Sequence, residues 1–188
     1  MKILYITTGI NGAGGLERVL SIKASYLADK LGYEVHILTL NSVGESLFYE
    51  FSPKIQLYDI TVNGNPFQYI KQYVKGIRKV INIVKPNVIS VCDDGLKGFF
   101  FPLFSKPCPV IYERHASINL NFISLNKNIY NKFKNKLTYQ LMKYGAKTFD
   151  KFVILTKGNL NEWSSKNLIV IPNPLSFFSE EKSSLKSK

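Results

Sequence analysis

Short apolar runs alternate along this chain with longer stretches in which apolar residues return every three or four positions. The short runs lie at 2–7, 34–40, 55–60, 88–92, 110–113, 152–155 and 168–171, and their Ile, Val, Leu and aromatic content predicts buried β-strands. The intervening stretches at 16–31, 67–84, 96–104, 127–147 and 157–165 carry the helical period. Lys85-Pro86-Asn87 ends the second of them, because proline cannot continue a helix. Strands and helices alternating in this way predict an α/β fold: a doubly wound, mainly parallel sheet of about seven strands with helices on both faces. One domain is expected over 1–176. Residues 177–188 turn polar and read as a tail or as the start of a linker to a further domain.

In such sheets ligands bind beyond the C-terminal ends of the strands. Those ends carry Thr7-Thr8-Gly9, Asn41, Asp93-Asp94-Gly95, Arg114-His115, Thr156 and Asn173. The first strand runs into Gly12-Ala-Gly-Gly-Leu-Glu-Arg18, a glycine loop that opens a helix. A loop of this kind aims unpaired backbone N–H groups and the positive end of the helix dipole at one spot, a place for an anion or a sugar. It is also compatible with a tight turn that binds nothing. A dinucleotide fingerprint is excluded, because its third glycine falls on Glu17 and its ribose-binding acid falls on Asn41. A Walker loop is excluded by Glu17-Arg18 where a Lys-Ser/Thr pair is required.

Composition narrows the classes. With 188 residues, 45% of them hydrophobic, the chain can build one well-cored domain, and no apolar run reaches membrane-spanning length. Cys92 in an apolar strand and Cys108 between two prolines read as reduced cysteines. His36 and His115 have no partners at ligand spacing, so no metal is expected, and the expected location is cytoplasmic. The net charge of +12 is one-sided: residues 1–60 hold five basic and six acidic side chains, and residues 121–188 hold twelve and four. Such asymmetry points to an anionic partner.

Four places then carry a specific resemblance: Gly14-Gly-Leu-Glu-Arg18 after the first strand, Glu113-Arg-His115, Val153-Ile-Leu-Thr-Lys157 and Ile171-Pro-Asn-Pro-Leu175. In this order the chain resembles, over nearly its whole length, the N-terminal, acceptor-side domain of a GT-B-fold glycosyltransferase, most like glycosyltransferase family 4. The resemblance implies a Rossmann-like half of a two-domain enzyme. That enzyme would be a retaining hexosyltransferase using a nucleotide-sugar donor, UDP-linked, in surface polysaccharide or glycolipid synthesis. It places Gly14 and Gly15 in the cleft and His115 as the catalytic-cleft histidine. Arg114, Thr156 and Asn173 are candidate substrate contacts. No cofactor is implied. The family's donor domain and its Glu-x₇-Glu pair have no counterpart here, so the chain alone is expected to be inactive and to need a C-terminal donor-binding domain or subunit. A stand-alone membrane-recruiting subunit and an unrelated Rossmann-like binder are the alternatives.

The stretch 127–147 holds six lysines and an apolar stripe of Phe133, Leu137, Leu141 and Tyr144, expected to pack on the sheet. Ile118, Leu120, Phe122, Ile123 and Leu125 precede it as an apolar loop. Together, Phe122, Ile123, Lys132, Lys134 and Lys136 are expected to touch an anionic membrane surface, placing the protein peripherally at its inner face. A sugar or lipid-linked sugar acceptor suits that arrangement. Nucleic acid ranks below it, because Phe133 and Tyr144 fall on the packing stripe and not among the lysines.

Overall fold

The computed structural model describes residues 1–93, 95–118 and 129–175, with backbone only for 129–132. Seven strands form one parallel sheet in the order β3-β2-β1-β4-β5-β6-β7. They are β1 Lys2–Thr7, β2 Glu34–Leu40, β3 Gln56–Ile60, β4 Val88–Cys92, β5 Val110–Glu113, β6 Lys151–Ile154 and β7 Leu168–Val170. The central strands are near-continuous apolar runs because both of their faces are covered. Register places Tyr5 between Ile37 and Ser90, and Glu113 beside Val153. Every expected strand is present within a residue or two of its expected bounds.

The winding reverses at β1. Helix α1 (Gly15–Asp29) leads from β1 to β2, and α2 (Pro66–Val84) crosses back from β3 to β4. The crevice above the C-terminal ends of β1 and β4 is therefore a topological switch point, where open α/β sheets bind ligands. The two faces are unequal. One carries α1 alone over Ile3, Tyr5, Val35, Ile37 and Cys92. The other carries α2, α3 (Leu96–Phe99), α4 (Phe101–Phe104) and α5 (Ile129–Ala146) over the larger core. Its centre is an aromatic stack: the Phe99 and Tyr112 rings lie 4.5 Å apart, Tyr112 and Phe152 4.9 Å, Phe152 and Trp163 4.6 Å.

Local chemistry explains the element ends. Asn65 and Gln68 form a reciprocal capping box around Pro66, which starts α2 with its missing N–H where no partner is needed. Lys85 ends α2 in the left-handed region at φ 50°, and Pro86 follows. Asn41 is also left-handed, and its side chain accepts from the Val62 amide at 2.8 Å and donates to the Val62 carbonyl at 2.9 Å. The residue found in place of a ribose-binding acid is thus a strut between two strand ends.

Three expectations are corrected here. The single helix over 96–104 is two short ones, because Pro102 cannot donate to the Gly98 carbonyl four residues back. The helix over 157–165 is one 3₁₀ segment, Lys157–Glu162, capped by Thr156 and stopped where Trp163 turns into the core. Most of the expected packing stripe of α5 is overturned: Phe133 is 68% exposed, and Leu137 and Tyr144 also face outward, while Leu141 is half-buried. The helix packs instead through Met142, Gly145 and Ala146, so close to α3 that a Cβ on Gly145 would lie 2.6 Å from the Phe99 carbonyl oxygen.

Candidate functional site

Strand parity sets the side chains that leave β5. Tyr112 and Arg114 point toward the large core, while Glu113 and His115 point toward α1. On the α1 side, Lys23 reaches across and forms an ion pair with Glu113, and the second carboxylate oxygen accepts from Ser90 at 2.5 Å. The Lys23 ammonium also sits 5.0 Å from the centre of the Tyr5 ring. His115 Nε2 approaches the same carboxylate at 3.5 Å. Burial by itself would raise the Glu113 carboxyl. His115, the Lys23 charge and the Ser90 hydroxyl outweigh it and hold the group down at about 2.

His115 stands between two small cavities at the C-terminal edge of the sheet. One, of about 140 Å³, is lined by Lys23, Glu113, His115, Val153 and Asn173 among others. The second, of about 110 Å³, lies on the other side of the imidazole against Ser117, Thr156, Asn159 and Trp163. The ring is nine-tenths covered; among the described residues Nδ1 has no hydrogen-bond partner, and Nε2 has only the long 3.5 Å approach to Glu113. A buried ring nitrogen without a partner costs stability, which a ligand hydroxyl or phosphate oxygen would repay.

The loop after His115 is held by Glu162. Its carboxylate accepts from the Ile118 amide at 2.9 Å, from Ser117 Oγ at 2.9 Å and from Asn159 Nδ2 at 3.0 Å. Burial raises this carboxyl, but those donors and the nearby Arg114 charge bring it below the ordinary range. Arg114 is itself 2% exposed: it donates to the Ser117 carbonyl at 3.2 Å and lies over the Phe99 ring at 5.9 Å. It therefore braces the loop that carries His115 and offers no open fork to solvent. Ile118, expected on the apolar loop, is fully buried in the core.

The glycine loop holds its own anion. A Cβ on Gly14 would overlap the Glu17 carboxylate, and one on Gly12 would lie 3.0 Å from Glu17 Oε1, whereas Gly15 faces open space. The Glu17 side chain thus folds back over the loop, a favourable place for a carboxylate at the first turn of α1. Tyr49 donates to the Ala13 carbonyl at 3.1 Å, and Asn11 donates to Glu45 at 2.6 Å, so the segment after β2 braces the loop.

Of the sequence-derived residues, the structure brings Arg114, His115 and Asn173 to one cavity and Arg114, His115 and Thr156 to the other. Thr156 caps its 3₁₀ segment by accepting from the Asn159 amide at 3.4 Å, and its hydroxyl donates to Asn159 Oδ1 at 2.7 Å. Gly14 and Gly15 border the switch-point crevice at the start of α1. Lys134 and Lys136 are exposed on α5. Phe122, Ile123, the side chain of Lys132, and Asp94 lie outside the described residues. Lys23, Ser90 and Glu162 were not singled out from sequence, and Glu113 entered only as the first residue of the Glu113-Arg-His115 motif, with no role of its own. Ser90, Cys92 and Glu113 share one face of the sheet by parity alone, which is the signal that would have found them. Cys92 Sγ, Glu113 and His115 offer ligand atoms within 4.8 Å of one another, a soft set of the kind zinc takes. The Lys23 ammonium already neutralises that carboxylate, so an ion would have to displace it.

No family model matches the sequence, and no curated protein matches it. Solved structures match in fold. Sucrose-phosphate synthase from Thermosynechococcus elongatus superposes with a TM-score of 0.67 at 12% identity, over 92% of this chain and 48% of its own. The lipopolysaccharide outer core galactosyltransferase WaaB gives 0.63 at 14%, over 94% and 46%. UDP-GlcNAc 2-epimerase from Methanocaldococcus jannaschii gives 0.53 at 16%, over 92% and 46%. This chain spans about half the length of each of these three structures. Its fold is that of one Rossmann-like half of a GT-B glycosyltransferase.

Proposed function

We propose that this chain is the acceptor-binding half of a retaining, nucleotide-sugar-dependent glycosyltransferase acting in surface polysaccharide or glycolipid synthesis. One observation carries the reading: a nine-tenths covered histidine, its Nε2 facing Glu113 and its Nδ1 without a partner among the described residues, stands between two cavities at the strand ends of a GT-B half-domain. In the reaction, the acceptor hydroxyl oxygen bonds to the anomeric carbon as the bond from that carbon to the diphosphate breaks. The hydroxyl proton passes to the departing diphosphate oxygen. His115 would orient a sugar hydroxyl in this cleft, and the α1 amides near Gly14 and Gly15 would stabilise charge growing on the diphosphate. Glu17 must swing off the loop for that contact to form. A UDP-linked donor fits the reading, since the epimerase among the fold neighbours is named for a UDP-sugar.

The cavities favour a half-built site. At about 140 and 110 Å³ they fall below the roughly 300 Å³ at which ligand pockets begin, so a nucleotide-sugar needs walls from a second domain or subunit. The chain alone is therefore expected to show no sugar transfer and no micromolar affinity for any of a panel of nucleotide-sugars by calorimetry. Micromolar binding by the chain alone would overturn the half-site reading. In a longer chain that carries the second domain, His115→Ala is expected to lower kcat/KM at least a hundredfold with little change in Tm. Wild-type turnover in that variant would return His115 to a packing role.

A further inference from the structure

We propose that the helical layer α2–α5 is a docking face for an anionic lipid bilayer, with the outward side of α2 as its main contact. Charge is segregated between the two faces of the sheet. Helix α1 carries Glu17 and Asp29, whereas α2, α3, α4 and α5 contain no acidic residue at all. From residue 60 to residue 92 the sequence holds five cations and no acid. Among the described residues the acids nearest these helices in sequence are engaged elsewhere: Asp59 accepts from Thr39 and from the Ser42 amide, Asp93 is buried against Lys97, Glu113 faces α1, and Asp150 pairs with Lys106.

Helical geometry makes α2 two-sided. Tyr73, Ile77, Val80, Ile81 and Val84 face the core. Lys71, Lys75 and Lys79 follow one another at four-residue steps along the exposed side, and among the described residues none of them has a carboxylate within 4.0 Å. A groove along this face is lined by these lysines together with Arg78, Val74 and Ile83. Phe67 and Ile70, on the first turn of α2, are 79% and 61% exposed. That turn follows the C-terminal end of β3, so it lies on the edge of the sheet where the His115 cavities open. On α5, exposed Phe133 and Leu137 stand beside exposed Lys134 and Lys136 and continue the pattern.

Bare apolar side chains next to a row of unpaired lysines match the two layers of a membrane interface: acyl boundary and phosphate headgroups. Single-stranded nucleic acid would explain the lysines and the aromatics. It would leave Ile70, Ile83 and Leu137 exposed for no gain, since aliphatic side chains offer bases no ring to stack on. The docking face extends the lipid-side reading of the proposed function, and its test requires no transfer chemistry.

The test is co-sedimentation of the 188-residue chain with vesicles of phosphatidylcholine alone or with phosphatidylglycerol at about one lipid in three, at about 0.05 M and about 0.5 M salt. Binding is expected to the anionic vesicles and to fall at least tenfold at the higher salt. Lys71→Gln/Lys75→Gln/Lys79→Gln is expected to weaken partitioning by roughly a hundredfold, about fivefold per lysine. Phe67→Ser/Ile70→Ser is expected to weaken it at both salts. Lys30→Gln/Lys54→Gln, on the α1 side, is expected to bind like wild type, and circular dichroism checks that all variants are folded at the temperature of the assay. Equal binding to neutral vesicles, an unaffected α2 triple variant, or an equal loss in the α1-side control would each overturn the proposal. So would a chain that binds a dT₂₀ oligonucleotide but no vesicle. Docking without transferase activity in a two-domain chain would sink the proposed function alone, and transfer without docking would sink this inference alone.

Discussion

Glu113 is the most consequential side chain whose role the sequence did not advertise. The two residues that follow it were read as site residues because they end a strand, and parity explains what became of each. Arg114 shares the side of Tyr112 and is drawn under the His115 loop, while His115 shares the side of Glu113 and stands between the two cavities that both residues line. Since the Glu113 carboxyl is held at about 2 in the folded chain, below the roughly 4.3 of an unfolded glutamate, it binds fewer protons folded than unfolded. Its contribution is complete above pH 5 and is lost as pH falls toward 2. Glu113→Gln, which leaves the largely covered Lys23 without its anion, is expected to cost about 2 kcal/mol at pH 7. Urea titrations of both proteins from pH 7 to pH 2 check this. The stability gap is expected to narrow steadily through the acid range, and a gap independent of pH would mean that the carboxylate charge contributes nothing.

At the scale of elements, the strands were legible because a buried parallel strand is an unbroken apolar run, and the alternation with helices was enough to order them. What periodicity hid was how α5 seats itself. Large apolar residues suggested a packing stripe of Phe133, Leu137, Leu141 and Tyr144, yet the helix seats itself through Met142, Gly145 and Ala146, and it is Gly145 that lets the α5 backbone approach Phe99. Apolar size is a poor guide where two backbones nearly touch. Gly145→Ala is accordingly expected to destabilise the chain by about 1–3 kcal/mol, because the atoms in the way belong to a backbone that cannot step aside. Gly15→Ala, at the open first turn of α1, is expected to hold Tm or raise it slightly. Thermal melts of the two variants side by side decide the matter; equal losses would show that the α3–α5 approach is looser than described. The split of 96–104 at Pro102 was legible in principle, since a proline six residues into a nine-residue helix removes one of its few hydrogen bonds.

For the whole molecule, the net charge of +12 was plain from composition, but its arrangement was not, because only the fold gathers four acid-free helices on one face of the sheet. That gathering has a cost independent of any ligand. Lys71, Lys75 and Lys79 repel at four-residue steps, each such like-charged pair costing about 0.3–0.5 kcal/mol at low salt, and the α5 lysines add to the field. Screening relieves it: the Debye length falls from about 30 Å at 0.01 M to about 10 Å at 0.1 M. Tm is therefore expected to rise by about 2–4 °C over that range, in keeping with roughly 1 kcal/mol for a chain of this size. The α2 triple glutamine variant is expected to start higher and to respond less. Anionic vesicles at low salt would act in the same direction by supplying the missing counter-charge. Differential scanning calorimetry at two salt concentrations separates this from the opposite balance. A Tm that falls as salt is added would show that the attractive pairs, Lys23–Glu113 foremost, outweigh the repulsion within the helical layer.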